Sequence, residues 1–170
     1  MSNCSEVAKP IDQIRAVITD FDGVHTDNSV LIGDDGSEFV RCSRADGMGI
    51  ERLRNRGVYL LMLSREANKV VAARAAKLQM EVAHKVIDKL SFLDNWRKRH
   101  GLEWSQIAYI GDDINDLECM KACGLAAAPA NAHPEIKQVA TILLSRTGGD
   151  GAVRELSDLL INGKMLQSAT

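Results

Sequence analysis

The chain contains no apolar run long enough to span a bilayer, no surplus of basic residues and no cysteine framework, and each absence removes a class of protein. Lys and Arg number 21 against 23 Asp and Glu, a formal net charge of -2, so the positive footprint that a nucleic-acid partner requires is missing. Four cysteines, Cys4, Cys42, Cys119 and Cys123, are too few to staple a chain of 170 residues, and reduced thiols are expected. Cys119 and Cys123 share a helical spacing, yet a zinc site would need two further ligands and no nearby histidine supplies them. The opening Met1-Ser2-Asn3-Cys4-Ser5-Glu6 lacks the basic and then apolar character of a signal peptide, so the expected location is the cytoplasm. Neither long repeats nor a low-complexity linker divide the sequence. One domain with a sizeable core is expected over residues 13–170, behind a mobile N-terminal tail at 1–12.

What is present is organised around Arg15-Ala16-Val17-Ile18-Thr19-Asp20-Phe21-Asp22-Gly23-Val24. A short apolar run, read as a buried strand, stops at two carboxylates one residue apart and then a glycine. If extended geometry persists, Asp20 and Asp22 share one side while Phe21 points into the protein. Two such charges are costly together unless a cation or a proton intervenes. A turn that merely holds two aspartates is the competing reading, since Asp-Gly is a common turn dipeptide.

Further on, Val30-Leu31-Ile32 and Glu38-Phe39-Val40 flank Gly33-Asp34-Asp35-Gly36-Ser37, which predicts a hairpin over about residues 30–41. Such a ribbon is marginal alone and this one is rich in apolar residues. Packing on a neighbouring subunit is expected, with burial in its own core as the alternative. From Asp46 the period becomes helical, and helices are expected at 46–57, about 66–78, 88–100, through Ile114 to Met120, 134–140 and 151–161. Apolar strands at 58–63, 81–83, 107–110, 124–127 and 141–144 alternate with them. Trp96 reads as core, and Arg52, Arg54 and Arg56 as a solvated basic face. This alternation specifies an α/β fold, a Rossmann-like parallel sheet with helices on both faces and the ligand site at the carboxyl ends of its strands. The polar residues at those ends are Asp20 and Asp22, Ser64, and Asp112 with Asp113.

Several carboxylates, a hydroxyl and Lys89 gathered at one edge call for a hard cation and a phosphate. Oxygen ligands without paired cysteines favour Mg²⁺. In the phosphoryl-transfer reading, Asp20 attacks phosphorus and forms an aspartyl-phosphate, and Asp22 serves as acid and then base. Ser64 donates to the phosphoryl oxygens, Lys89 adds positive charge, and Asp112 with Asp20 holds the magnesium. Asp113 and Asp116 orient water or Lys89.

Asp20-Phe21-Asp22-Gly23-Val24, Ser64, Lys89 in Asp88-Lys89-Leu90, and Gly111-Asp112-Asp113-Ile114-Asn115-Asp116 resemble, in order and position, the four motifs of the haloacid dehalogenase superfamily of phosphatases. Asp46-Gly47-Met48-Gly49-Ile50, Ala132-His133-Pro134 and Gly148-Gly149-Asp150-Gly151-Ala152-Val153-Arg154-Glu155 extend the resemblance to a capless branch. That branch includes octulosonate-8-phosphate phosphatases, nonulosonate-9-phosphate phosphatases and the phosphatase-like domain of CMP-acylneuraminate synthetases. The resemblance implies no cap domain, and the gaps from Asp22 to Ser64 and from Lys89 to Asp112 have no room for one. It also implies a homotetramer in which the hairpin and a neighbour's C-terminal segment cover the site, Gly23 as a supporting residue, and the Asp22 backbone carbonyl at the metal.

The sequence departs from the octulosonate pattern in having Ser64-Arg65-Glu66 for Thr-Gly-Arg, Ala45 before Asp46-Gly47, and Asp150 in place of an arginine. Glu66 and Lys77, spaced for one helix face, resemble the nonulosonate branch, with a surface ion pair as the alternative. A 2-keto-3-deoxy sugar-acid phosphate is therefore expected, a sialic-acid-type nonulosonate 9-phosphate ahead of 3-deoxy-manno-octulosonate 8-phosphate, with Glu66, Lys77, Asp46 and Gly47 toward the sugar. His25 is read as a turn residue at the rim, or else as a group reaching the leaving group, and Arg154 as a partner of Glu155 or of a neighbour. A phosphoaspartate receiver module uses similar residues, but its acidic pair comes first and its phosphorylated aspartate ends the middle strand. A non-catalytic assembly module is opposed by the intact Asp20, Asp22, Lys89 and Asp112.

Overall fold

The computed structural model describes residues 13–162; the tail expected at 1–12, with Cys4, lies outside them. Six strands form one parallel sheet: β1 (Ala16–Thr19), β4 (Tyr59–Leu63), β5 (Glu81–Ala83), β6 (Ile107–Ile110), β7 (Leu125–Ala128) and β8 (Ile142–Leu143). Their order is β5-β4-β1-β6-β7-β8, so the chain winds outward from β1 in one direction and then returns to wind outward in the other. The strand order reverses beside β1, and that is where a crevice opens at the carboxyl edge of such a sheet.

Side chains alternate cleanly across the sheet. Val17, Leu60, Met62, Ala108 and Ile110 pack with Ile50, Leu53, Val71, Leu78, Val153 and Leu156 of α1 (Arg44–Arg54), α2 (Lys69–Leu78) and α6 (Ala152–Asn162). Ala16, Ile18, Leu61, Leu63 and Tyr109 turn the other way, onto Leu93, Trp96, Met120 and Ile136 of α3 (Lys89–Arg99), α4 (Leu117–Ala122) and α5 (Pro134–Val139). Strands β1, β6 and β7 are buried at every position and are accordingly near-continuous apolar runs, with Thr19 the polar exception. Trp96 sits in the core as expected, its indole N–H satisfied by Glu81 at 2.8 Å. Cys119 and Cys123 are both buried.

The helices start later or earlier than periodicity alone implies, because caps decide. Ser43 accepts the Ala45 N–H and starts α1 at Arg44, ahead of Asp46. Asn68 accepts the Val70 N–H and starts α2 at Lys69, so Glu66 lies in the loop before the helix and shares no face with Lys77. Glu66 instead accepts the N–H groups of Ala67 and Asn68, and no Glu66–Lys77 ion pair occurs among the described residues.

The basic face of α1 is likewise engaged: Arg52 pairs with Asp158 of α6, and Arg54 donates to the Leu78 carbonyl at 2.7 Å. Arg154 pairs with Asp158 at 2.7 Å and not with Glu155, whose carboxylate accepts the backbone N–H groups of Ser145 and Arg146.

The hairpin forms from β2 (Leu31–Ile32) and β3 (Glu38–Phe39), paired antiparallel. Leu31, Ile32 and Phe39 are 75%, 69% and 61% exposed, which overturns burial within the same chain's core. Between Asp22 and Ser64 there is only this hairpin, α1 and β4, so the described residues hold no cap module.

Candidate active site

Strand register brings the polar residues together. Thr19 is level with Met62 of β4 and Ile110 of β6, so Asp20, Ser64 and Asp112 emerge at one edge within a residue of one another's level. Extended geometry stops there: the Phe21 carbonyl accepts the N–H groups of Val24, His25 and Thr26, and the chain turns back on itself. Phe21 is enclosed, as expected, but Asp20 and Asp22 occupy different environments. Asp20 is 5% exposed, whereas Asp22 is half-buried on the turn, its carboxylate accepting from the Thr26 hydroxyl at 3.5 Å.

Lys89, the first residue of α3, reaches inward and donates to Asp20 Oδ2 at 2.9 Å and to Asp116 Oδ1 at 2.7 Å. Asp116 also accepts the Tyr109 phenol at 2.7 Å on the same oxygen, and the Asp112 N–H at 3.1 Å on the other. Asp20, Asp112 and Asp116 each offer an oxygen within 4.8 Å of the others. Three carboxylates against one ammonium leave two negative charges in a buried space. Burial and the Asp116 charge hold Asp20 well above the ordinary carboxylate range despite Lys89. Burial works against the charged form of Lys89, but the two carboxylates overcome it and raise the ammonium. Asp112 is pushed up to about 7 by burial, by Asp116 and by Asp113.

Asp112 Oδ1 is buried with no protein partner, and Asp112 Oδ2 lies where a Cβ on Gly23 would come within 1.8 Å. An unpaired oxygen, a surplus of two negative charges and an all-oxygen donor set fit a hard divalent cation. Asp112 Oδ1 is free for it, and Asp20, with one contact on each oxygen (the Phe21 N–H on Oδ1 and Lys89 on Oδ2), keeps a further lone pair on each. Asp116, though near enough, already uses both oxygens on Lys89, Tyr109 and the Asp112 N–H. The Asp22 side chain stands outside the triplet of carboxylates.

The remaining expected residues divide. Ser64 is buried at the end of β4, its hydroxyl accepting the Glu66 N–H at 3.0 Å. Gly23 has φ +72° and its Cα against Asp112, so only glycine fits. Asp113 is exposed and caps the turn into α4 through the Ile114 N–H. Glu66 is exposed and, with Glu38 of the hairpin, adds to the burial that raises Asp22.

Three expectations are corrected. Asp46 is fully enclosed and accepts the Arg154 N–H at 2.9 Å, capping the first turn of α6, so it is not presented to a sugar. Gly47 and Lys77 line a groove between α1 and α2 together with Arg44, Arg54, Arg74 and Leu78, not the carboxylate edge. His25 is neither at the rim nor at a leaving group: it is fully buried, stacked on Phe21, with Nε2 at 2.9 Å from the Thr19 hydroxyl.

In the sequence Tyr109 lies inside the apolar strand 107–110. A phenol in a strand buried on both faces needs a partner, and that was the available signal for its bond to Asp116.

A parallel sheet in this order, with carboxylates, a lysine and a hydroxyl gathered where the strand order reverses, makes an α/β protein whose site carries the groups that phosphoryl transfer needs. The chain belongs to the haloacid dehalogenase-like hydrolase family, whose model matches residues 55–156. It is 32% identical over 155 residues to the 3-deoxy-D-manno-octulosonate 8-phosphate phosphatase KdsC of Haemophilus influenzae, covering 91% of this chain and 86% of that protein. A HAD family hydrolase from Streptomyces avermitilis is 41% identical, with a TM-score of 0.86 over 94% of this chain and 92% of that one. The 3-deoxy-D-manno-octulosonate 8-phosphate phosphatase of Moraxella catarrhalis, solved with magnesium, phosphate and KDO, is 29% identical with a TM-score of 0.88 over 91% and 89% of the two chains.

Burial, with the Arg74 charge, lowers the His25 imidazole to about 3 from its ordinary 6.5. The unfolded chain therefore binds the extra proton between these values, and the His25 contribution to stability falls as pH drops through about 6.5 toward about 3. Asp20, Asp22 and Asp112, raised in the folded chain, act in the opposite sense and are common to wild type and His25→Gln. Thermal melts across that range are therefore expected to show wild type losing Tm relative to His25→Gln as the pH falls; a constant difference would refute the assignment.

Proposed function

We propose that the chain is a magnesium-dependent phosphatase of a 2-keto-3-deoxy sugar-acid phosphate, working through an aspartyl-phosphate on Asp20. The observation that carries this reading is the Asp20–Lys89–Asp116 chain beside the unpaired Asp112 oxygen. Asp20 and Asp112, with the Asp22 carbonyl, would hold the magnesium, which supplies charge neutralisation for the phosphoryl oxygens when bound.

An Asp20 oxygen attacks phosphorus as the ester P–O bond breaks, and Asp22 gives its proton to the leaving oxygen. Burial and the nearby Glu66 and Glu38 raise Asp22, which suits a group that must arrive protonated. Water then attacks phosphorus, yields a proton to Asp22, and the Asp20–phosphorus bond breaks to release phosphate. Ser64 donates to the phosphoryl oxygens, and Lys89 balances charge on Asp20 and the phosphoryl group. Asp116 keeps Lys89 in place, and Asp113 holds the turn that carries Asp112.

The named relatives support 3-deoxy-manno-octulosonate 8-phosphate as the substrate ahead of the nine-carbon expectation. One observation favours a nonulosonate 9-phosphate as the second reading: acidic Glu66 and Glu38, not arginine, lie near Asp22. The exposed Leu31, Ile32 and Phe39 support assembly through the hairpin into a tetramer.

Asp20→Asn is expected to abolish Mg²⁺-dependent phosphate release, a loss of at least about 1,000-fold, and undiminished turnover would remove the nucleophile. In side-by-side assays, kcat/KM is expected to be higher for the octulosonate ester, and a higher value for a nonulosonate 9-phosphate would transfer the assignment. Light scattering at micromolar concentration should give the mass of four chains; a monomer would refute the assembly.

A further inference from the structure

Gly148 and Gly149, in the loop between β8 and α6, take no part in the chemistry above, yet they lie against the turn that carries Asp22. The Gly149 N–H donates to the Val24 carbonyl at 3.1 Å. A Cβ on Gly148 would stand 1.9 Å from the Gly23 carbonyl oxygen and 2.8 Å from that of Thr26. On Gly149, whose φ is +71°, it would come 2.5 Å from the Asp27 nitrogen. The Gly148 N–H is held in turn by Asn131 Oδ1 at 3.1 Å, from the loop between β7 and α5.

Gly23 thus has its Cα against the Asp112 carboxylate and its carbonyl against Gly148. The hydrogen-bond partner of the Asp22 carboxylate, the Thr26 hydroxyl, belongs to the same turn and also accepts the Gly23 N–H at 3.2 Å. Asp22 therefore goes where the turn goes. We infer that Gly148 and Gly149 are positioning residues for Asp22: they seat the 22–27 turn against Asp112 and so fix where the Asp22 carboxyl meets the leaving-group oxygen. The inference rests on the acid role proposed for Asp22.

In Gly148→Ala a Cβ 1.9 Å from the Gly23 carbonyl oxygen must push the loop and the 22–27 turn apart, and a misplacement of about 1 Å costs on the order of 100-fold where a proton must be delivered. The readout is kcat/KM, at Mg²⁺ concentrations that saturate each variant because the Asp22 carbonyl shares the turn, across phosphomonoesters running from p-nitrophenyl phosphate, whose leaving group needs no proton, to alkyl phosphates, whose leaving group does. This quantity reports only steps through departure of the leaving group and is blind to the later hydrolysis. Gly148→Ala is expected to lose about 100-fold on alkyl esters and less than about 5-fold on p-nitrophenyl phosphate. Asn131→Ser, at an exposed site, should show the same gradient more weakly. A folded Gly148→Ala that loses equally on every ester overturns the inference. If circular dichroism shows that variant unfolded, Asn131→Ser decides by the same comparison, its gradient supporting the inference and equal losses refuting it. Asp22→Asn separates the two layers: a graded Asp22→Asn with a flat Gly148→Ala rejects only the positioning role, whereas a flat Asp22→Asn rejects the acid role and this inference with it.

Discussion

Three carboxylates that share one ammonium in a buried space are the constraint to which the rest of the strand edge answers. Asp20, Asp112 and Asp116 cannot move apart, because each follows directly from a strand or turn of the central sheet. Their repulsion is relieved in part by Lys89, which spends two of its three N–H donors on Asp20 and Asp116. Asp116 is then pinned from both sides, by Lys89 and Tyr109 on one oxygen and by the Asp112 N–H on the other. Such a satisfied buried network holds its geometry, while the member left short, Asp112, marks where a cation belongs. The close approach of backbone to carboxylate also explains the two glycines here. A Cβ on Gly111 would meet Asp116 at 2.5 Å, and one on Gly23 would meet Asp112 at 1.8 Å.

The sheet produces this gathering through period and order alone. With side chains alternating, Tyr109 falls on the face of the sheet that packs α3 and α4, which is also the side from which Lys89 enters. The reversal of strand order at β1 leaves no helix directly over the carboxyl ends of β1 and β6, so the carboxylates meet in a crevice and not under a layer. Ser64 at the end of β4 completes the same edge. The hairpin is outside this logic. It is tied down by the Arg41–Asp27 ion pair at 3.0 Å and by a hydrogen bond from Asn68 to Glu38, and it keeps its apolar residues outward.

Much of this was legible in the residues themselves. Each strand-then-acid pattern marked a true strand end, and Gly57 and Gly101, with φ of +74° and +63°, stopped helices where they were expected to. The failures share a cause: they depend on which distant partner a polar group finds. His25 looked like a loop residue because nothing local shows three N–H groups converging on the Phe21 carbonyl and winding it inward onto Thr19. Asp46 looked available to a ligand because its partner, the Arg154 N–H, lies in the last helix. Glu66 and Lys77 had helical spacing, but Asn68 is the stronger cap and cut the helix between them.

The division between Asp20 and Asp22 follows from the same competition. One residue separates them, yet the turn at Phe21 leaves Asp20 inside the carboxylate cluster and carries Asp22 out to its half-exposed edge. Asp20 has an ammonium at 2.9 Å and the Phe21 N–H at 2.6 Å, contacts that orient a carboxylate and favour its charged form even as burial opposes it. Asp22 has only a long hydroxyl contact; burial first, then Glu66 and Glu38, favour its protonated form against the opposing pull of that hydroxyl and of Lys89. A carboxylate held in line and an acid kept supplied with a proton are the two components an ester cleavage needs. A single turn, seated by glycines from the far end of the chain, is enough to make both from neighbouring aspartates.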